Sequence, residues 1–162
     1  MDNGLNIEQI VRDYLPSVIH MSLATCASNV PWVCEVHFVF DDDLNLYFRS
    51  LTSRRHSQEI ASNPRVAGNI IEQHEKGQKP RGVYFEGVAS LLENVDETHP
   101  AYKLYCQRFG TGPEILEEAA RNDGHKFYKV DVSSFYVFDS RESSPSKKYV
   151  LPWHSSDQKV LS

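Results

Sequence analysis

A chain of 162 residues is long enough for one domain with a single core. Its 40% hydrophobic and 24% charged residues are the composition of a soluble globular protein, and its formal net charge of -5 argues against a general nucleic-acid binder. No apolar run reaches the roughly 18 residues of a membrane span, and the opening MDNGLNIEQI lacks the basic start and apolar stretch of a secretory signal.

The first element expected is a short amphipathic helix, with Ile7, Ile10, Val11, Tyr14 and Leu15 at helical spacing and Pro16 ending it. VIHMSLATCA (18–27) reads as a strand closed by the turn residues Ser28 and Asn29. PWVCEVHFVF (31–40) follows as a second strand. Its even positions Cys34, Val36, Phe38 and Phe40 form an apolar face, and Glu35 and His37 share the opposite one. An acidic turn, Asp41-Asp42-Asp43, leads into LNLYFRS (44–50), so the three strands read as an antiparallel meander.

Ser53 to Asn63 is expected to be helical, capped at Thr52 or Ser53 and stopped by Asn63-Pro64. RVAGNIIEQ (65–73) is a fourth strand, HEKGQKP (74–80) a loop, and GVYFEGVASLLE (82–93) a fifth strand in which Gly87 marks a bulge or a close backbone approach. Residues 97–121 read as two helical pieces broken at Gly110–Gly112, and KFYKVDVSSFYVFDS (126–140) as the closing strand. The Ser- and Lys-rich tail carries one apolar island, YVLPW (149–153), expected to cover the barrel. Close-spaced antiparallel strands with helices between them predict a mainly β fold, a small barrel with flanking helices, in one domain. Cys26, Cys34 and Cys106 are an odd number without CxxC spacing. That matches reduced thiols of a cytoplasmic protein, each read as a small core residue.

YFRSLTSRRHSQEI (47–60) sets three arginines, a histidine and several hydroxyls at a strand-to-helix junction. A helix start offers free N–H groups and positive potential, and Arg54 and Arg55 beside Ser50, Thr52 and Ser53 add charge-assisted donors for a phosphate. A solvated loop explains the same residues equally well, and cations in a first helical turn are mildly unfavourable without an anion.

The order FDDDLNLYF, SLTSRRHSQEIASNPRVAG and RGVYFEG resembles the FMN-binding split-barrel superfamily, the group containing pyridoxamine 5′-phosphate oxidase, over about residues 17–93. Arg55-His56, RGV-x-F-x-G, Ala101, Tyr102, Arg108, Phe109 and Lys147, Lys148, Trp153 are similar to a branch of small bacterial proteins in it. The resemblance implies a split β-barrel, FMN bound without a covalent link, a homodimer with the flavin between protomers, and oxidoreductase chemistry on a small molecule. It assigns Ser50, Ser53, Arg54 and Arg55 to the FMN phosphate and the strand through Glu35, Val36 and His37 to the flavin ring. Val33 stands where pyridoxamine phosphate oxidases carry an arginine and Gly82 where they carry a glutamine, so vitamin-B6 oxidation is not implied with it. Some relatives bind haem, which leaves a non-catalytic flavin- or haem-binding protein as the alternative. His20, His99 and His125 have no HxxxH or HExxH spacing for a protein metal site, and no nucleophile–base pair is visible along the chain.

Overall fold

A computed structural model describes residues 6–141 and 147–153. Helix α1 (Ile7–Tyr14) begins at Asn6, whose side chain accepts from the Gln9 N–H, and runs on through Pro16 into a single 3-10 turn, Leu15–Ser17. Strands β1 (His20–Ala27) and β2 (Val30–Phe40) form a hairpin in unbroken register from His20↔His37 to Ala27↔Val30. Its two turn residues, Ser28 and Asn29, both take positive φ (50° and 62°), the geometry that matches the twist of a two-residue hairpin.

Strand β3 (Leu46–Leu51) pairs with β2 only from Phe38↔Phe48 to Phe40↔Leu46. The Asp41 carboxylate ties the turn between them, accepting from the Asn45 backbone and side chain and from the Tyr47 hydroxyl. Then come α2 (Arg55–Ser62), β4 (Arg65–Ile70), β5 (Arg81–Leu91), α3 (Pro100–Phe109), α4 (Glu114–Ala120), β6 (His125–Asp139) and β7 (Lys148–Pro152).

The sheet order is β3-β2-β1-β4-β5-β6-β7, and a further β3–β6 pairing closes the first six strands into a barrel. β5 pairs along almost all of β6, while the other edge of β6 is shared. Its first half takes β3 (Leu51↔His125 to Leu46↔Val130) and its second half takes β7 (Ser134↔Pro152 to Phe138↔Lys148). The β5–β6 register shifts at Glu86/Gly87, which is the bulge expected at Gly87.

The barrel interior is filled by Met21, Leu23, Phe38, Phe48, Phe85, Phe135 and Val130, all buried. A smaller cluster, Val39, Tyr47, Ala101, Tyr105, Ile115 and Phe127, lies under α3 and α4. Trp153 is buried over the barrel, edge-on to Phe135 at 6.4 Å, and donates its indole N–H to the Asp43 carbonyl at 2.7 Å. The apolar island is thus a strand ending in a core residue.

Several boundaries differ from the sequence reading by a few residues, those of α2 and β4 among them. α2 begins at Arg55, because Leu51–Arg54 forms a turn closed by Arg54 N–H to Leu51 O; Arg54 is the N-cap, and neither Thr52 nor Ser53 caps the helix. β4 ends at Ile70 and not at Gln73, because the next amides leave the ladder and Glu72 N–H is taken by the Tyr14 hydroxyl. Among the described residues no helix is long and apolar enough to cross a membrane.

Candidate functional site

The barrel splits where β2 leaves β3. Residues 30–37 of β2 pair with β1 alone, so their other edge is open. The hairpin closes on Ala27↔Val30, and Phe38 N–H donates to Ile19 O, so even-numbered residues of β2 turn their backbone groups to β1. The N–H and C=O groups of Val33, Glu35 and His37 therefore face the opening. There the His37 carbonyl accepts a hydrogen bond from the Tyr105 hydroxyl at 3.1 Å.

A cavity of about 690 Å³ occupies the split, walled by the open length of β2, the end of β3, the start of α2, and side chains from α3, α4 and β6. Its volume is that of an ordinary cofactor site. Of the residues singled out in the sequence, Glu35, Val36, His37, Ser50, Arg54 and Arg55 line it. Ser53 does not; it lies in the exposed turn ahead of α2.

The three arginines of the wall differ in what holds them. Arg55 donates from Nε to Glu59 Oε1 at 2.7 Å and stacks over the Trp32 ring at 4.4 Å. Glu59 is itself buried and accepts from Thr25 Oγ1 at 2.5 Å; that bond first, then Arg55, holds its carboxyl below the usual range. Arg49 pairs through Nη2 with Glu118 Oε2 at 2.7 Å, and its buried Nε has no hydrogen-bond partner among the described residues. Arg54 is exposed and has no ion-pair partner among them. It also caps α2 without any side-chain bond to the first-turn amides, so those amides remain available to an anion.

His125 Nδ1 lies 2.6 Å from Glu118 Oε1. That bond, ahead of Arg49, brings the Glu118 carboxyl down to about 2. On the other side, His37 stacks on His20 at 4.6 Å and against Phe109 at 5.2 Å; burial, then His20, lowers its pKa. Glu35 accepts from the Ser22 hydroxyl across the β1–β2 pair.

The structure adds residues that the linear sequence did not bring together: Trp32, Tyr105, Glu118 and His125 join Arg49 in the wall from separate elements. It also supplies a nucleophile–base pair. Cys34 Sγ lies 3.3 Å from His56 Nδ1, and His56 Nε2 lies 2.7 Å from Ser50 Oγ. All three cysteines are partly buried and none is a fully buried core residue, a correction to their reading as core.

The family model described as pyridoxamine 5′-phosphate oxidase matches residues 7–139. The UPF0306 protein plu4501 of Photorhabdus laumondii is 29% identical over 102 residues, which cover 62% of this chain and 71% of that one. Among solved structures, the haem binding protein from Mycobacterium smegmatis superposes with a TM-score of 0.70 at 16% identity, over 87% of this chain and 55% of that longer one. HutZ, the haem storage protein from Vibrio cholerae, does so with a TM-score of 0.58 at 19% identity, over 78% and 89%. At such identities these likenesses are of fold, and the fold is the split barrel. With the family match running from α1 to the end of β6, the chain belongs to the pyridoxamine 5′-phosphate oxidase family.

Proposed function

We propose that the chain binds FMN in the split, works as a homodimer, and is a flavin-dependent oxidoreductase acting on a small-molecule substrate. The observation that carries this reading is the start of α2. An uncapped first turn beside the unpaired Arg54, with Arg55 braced by Glu59 and Trp32, is a preorganised anion cradle next to an open strand edge. The residues present fit the group: the cradle suits a phosphate, and the outward amides of Glu35 and His37 suit the polar edge of a flavin ring.

When bound, FMN supplies hydride or electron transfer. The protein's part is positional. Arg54 and Arg55 hold the phosphate, the open edge of β2 orients the ring plane, and Val36 and Tyr105 restrict water beneath it. A second copy would cover the exposed Val30, Trp32 and Val33 beside the cavity mouth, which supports the dimer. The cysteines carry no disulfide, which supports a cytoplasmic setting.

The test is a flavin titration followed by fluorescence. Each charge-assisted bond to the phosphate is worth about 1.5–3 kcal/mol, so Arg54→Ala with Arg55→Ala should weaken FMN binding by roughly 100-fold or more. Unchanged affinity would sink the assignment. Haem in the same cavity is the second reading. It is favoured by the two haem proteins among the neighbours and by the imidazoles of His37 and His125 in the wall. A Soret band in the purified protein, without flavin bands, would decide for it.

A further inference from the structure

We propose that Cys34, His56 and Ser50 form a thiol–imidazole relay that makes Cys34 a nucleophile toward small conjugated carbonyl compounds entering the cavity. The three side chains come from β2, α2 and β3, and the barrel split brings them to one wall.

The relay uses the His56 tautomer with its proton on Nε2. With the Ser50 hydroxyl donating to the Leu51 carbonyl at 3.4 Å, its oxygen can accept from His56 Nε2–H at 2.7 Å. Nδ1 then carries the free lone pair 3.3 Å from Cys34 Sγ, whose thiol also has the Leu23 carbonyl as an acceptor at 3.9 Å and turns from it to Nδ1 on reaction. A nucleophile, a base within reach of it and a third group orienting the base are the arrangement that activates a thiol. Ser50 and His56 are buried, which removes competing water from the relay, and Cys34 is partly exposed to the cavity. Neither Cys26 nor Cys106 has an imidazole within hydrogen-bond distance among the described residues.

The electrostatics determine how the relay works. Burial first, then Glu35 and Glu59, raises the Cys34 thiol to about 11, so no resting thiolate accumulates at neutral pH. Burial, then Arg54, lowers the His56 pKa, so the ring is a neutral base there, with Glu59 opposing the shift. The proton must therefore leave the sulfur during attack. As the S–C bond forms at the β-carbon of the conjugated carbonyl, the thiol proton passes to His56 Nδ1, the alkene π pair shifts between the α-carbon and the carbonyl carbon, and the carbonyl π pair moves onto oxygen. The enolate collapses as Nδ1 returns the proton to the α-carbon. The thiol has added across the double bond, nothing is oxidised or reduced, and no co-reactant is needed.

The experiment is alkylation of the full chain with N-ethylmaleimide, a conjugated carbonyl probe, resolved at each cysteine by peptide mass spectrometry from pH 6.5 to 9. A thiol reacting through its free thiolate speeds up about tenfold per pH unit below its pKa, whereas one deprotonated by His56 does not. The expected result is a rate at Cys34 that is nearly flat across this range. His56→Gln should slow Cys34 at pH 7 by at least about tenfold and restore the steep slope. A steep Cys34 profile in the unaltered chain, or no alkylation of Cys34 at all, overturns the relay whatever the variant does. Flavin content is read by visible absorbance in the same samples, so a failure of the FMN reading is scored separately and leaves the thiol result standing.

Discussion

Glu118 receives His125 on one carboxylate oxygen and Arg49 on the other, and through them α4 is fastened to β3 and β6 at the cavity wall. Its carboxyl sits at about 2, below its ordinary 4.5, because both partners favour the charged form. A depressed carboxyl stabilises the fold fully above its unfolded pKa and loses that contribution as pH falls through the folded value. Glu118→Gln should therefore cost about 1–2 kcal/mol at pH 7, discounted for a side chain that is 28% exposed. The gap between variant and parent should close between pH 4.5 and about 2, which urea melts across that range would show. Trp153→Phe tests another single bond. It keeps the ring against Phe135 but strips the indole donor from the Asp43 carbonyl, so about 1 kcal/mol should be lost in the same assay. At this scale the sequence was half legible. Arg54 and Arg55 stand out because charge beside hydroxyls at a helix start has a local meaning. Cys34 and His56 do not, because 22 residues and two element boundaries separate a pair that meets only when α2 lies across the barrel.

Elements explain why the cavity exists where it does. β2 is 11 residues long but β3 pairs with only its last three, so the strand has one satisfied edge and one exposed edge over the rest. The alternation of Cys34, Val36, Phe38 and Phe40 predicted the inward face of β2, and burial follows it as far as Phe38; beyond it Val39 is buried as well, in the cluster under α3 and α4, and Phe40 is half-buried. Nothing in that alternation says where a neighbour departs, since the departure is set by the long-range β3–β6 pairing. The bulge in β5 was legible, because a glycine inside a strand pattern has few other uses. A Cβ built on Gly87 would lie 2.2 Å from the Asp131 carbonyl oxygen and 3.0 Å from Val132 Cα, both backbone atoms of β6 that cannot swing aside. Gly87→Ala should cost about 2–3 kcal/mol, seen as a lower urea midpoint with an unchanged slope. An unaltered midpoint would show that β5 and β6 separate freely at the bulge.

For the molecule as a whole, β6 is the strand on which both the closure of the barrel and its cover depend. Its first half completes the ring with β3 and supports the cavity through His125, while its second half carries β7 and Trp153. No described residue beyond His125 lines the cavity, so the covered end and the binding end are separable in principle. Ending the chain after Arg141 tests this. The six-stranded ring keeps all its pairings, but Phe135 loses the Trp153 ring and the second half of β6 becomes a bare edge. Loss of a buried tryptophan alone is worth about 3–5 kcal/mol, so the thermal midpoint should drop by about 6–20 °C, and association through the bare edge should appear in light scattering. If the site is built by the split alone, FMN affinity at a temperature where the shortened chain is folded should stay within about threefold of the parent, under 1 kcal/mol. A larger loss of affinity with the fold intact would mean that the cover at one end of β6 positions the residues at the other, and that the barrel responds to its cofactor as one unit.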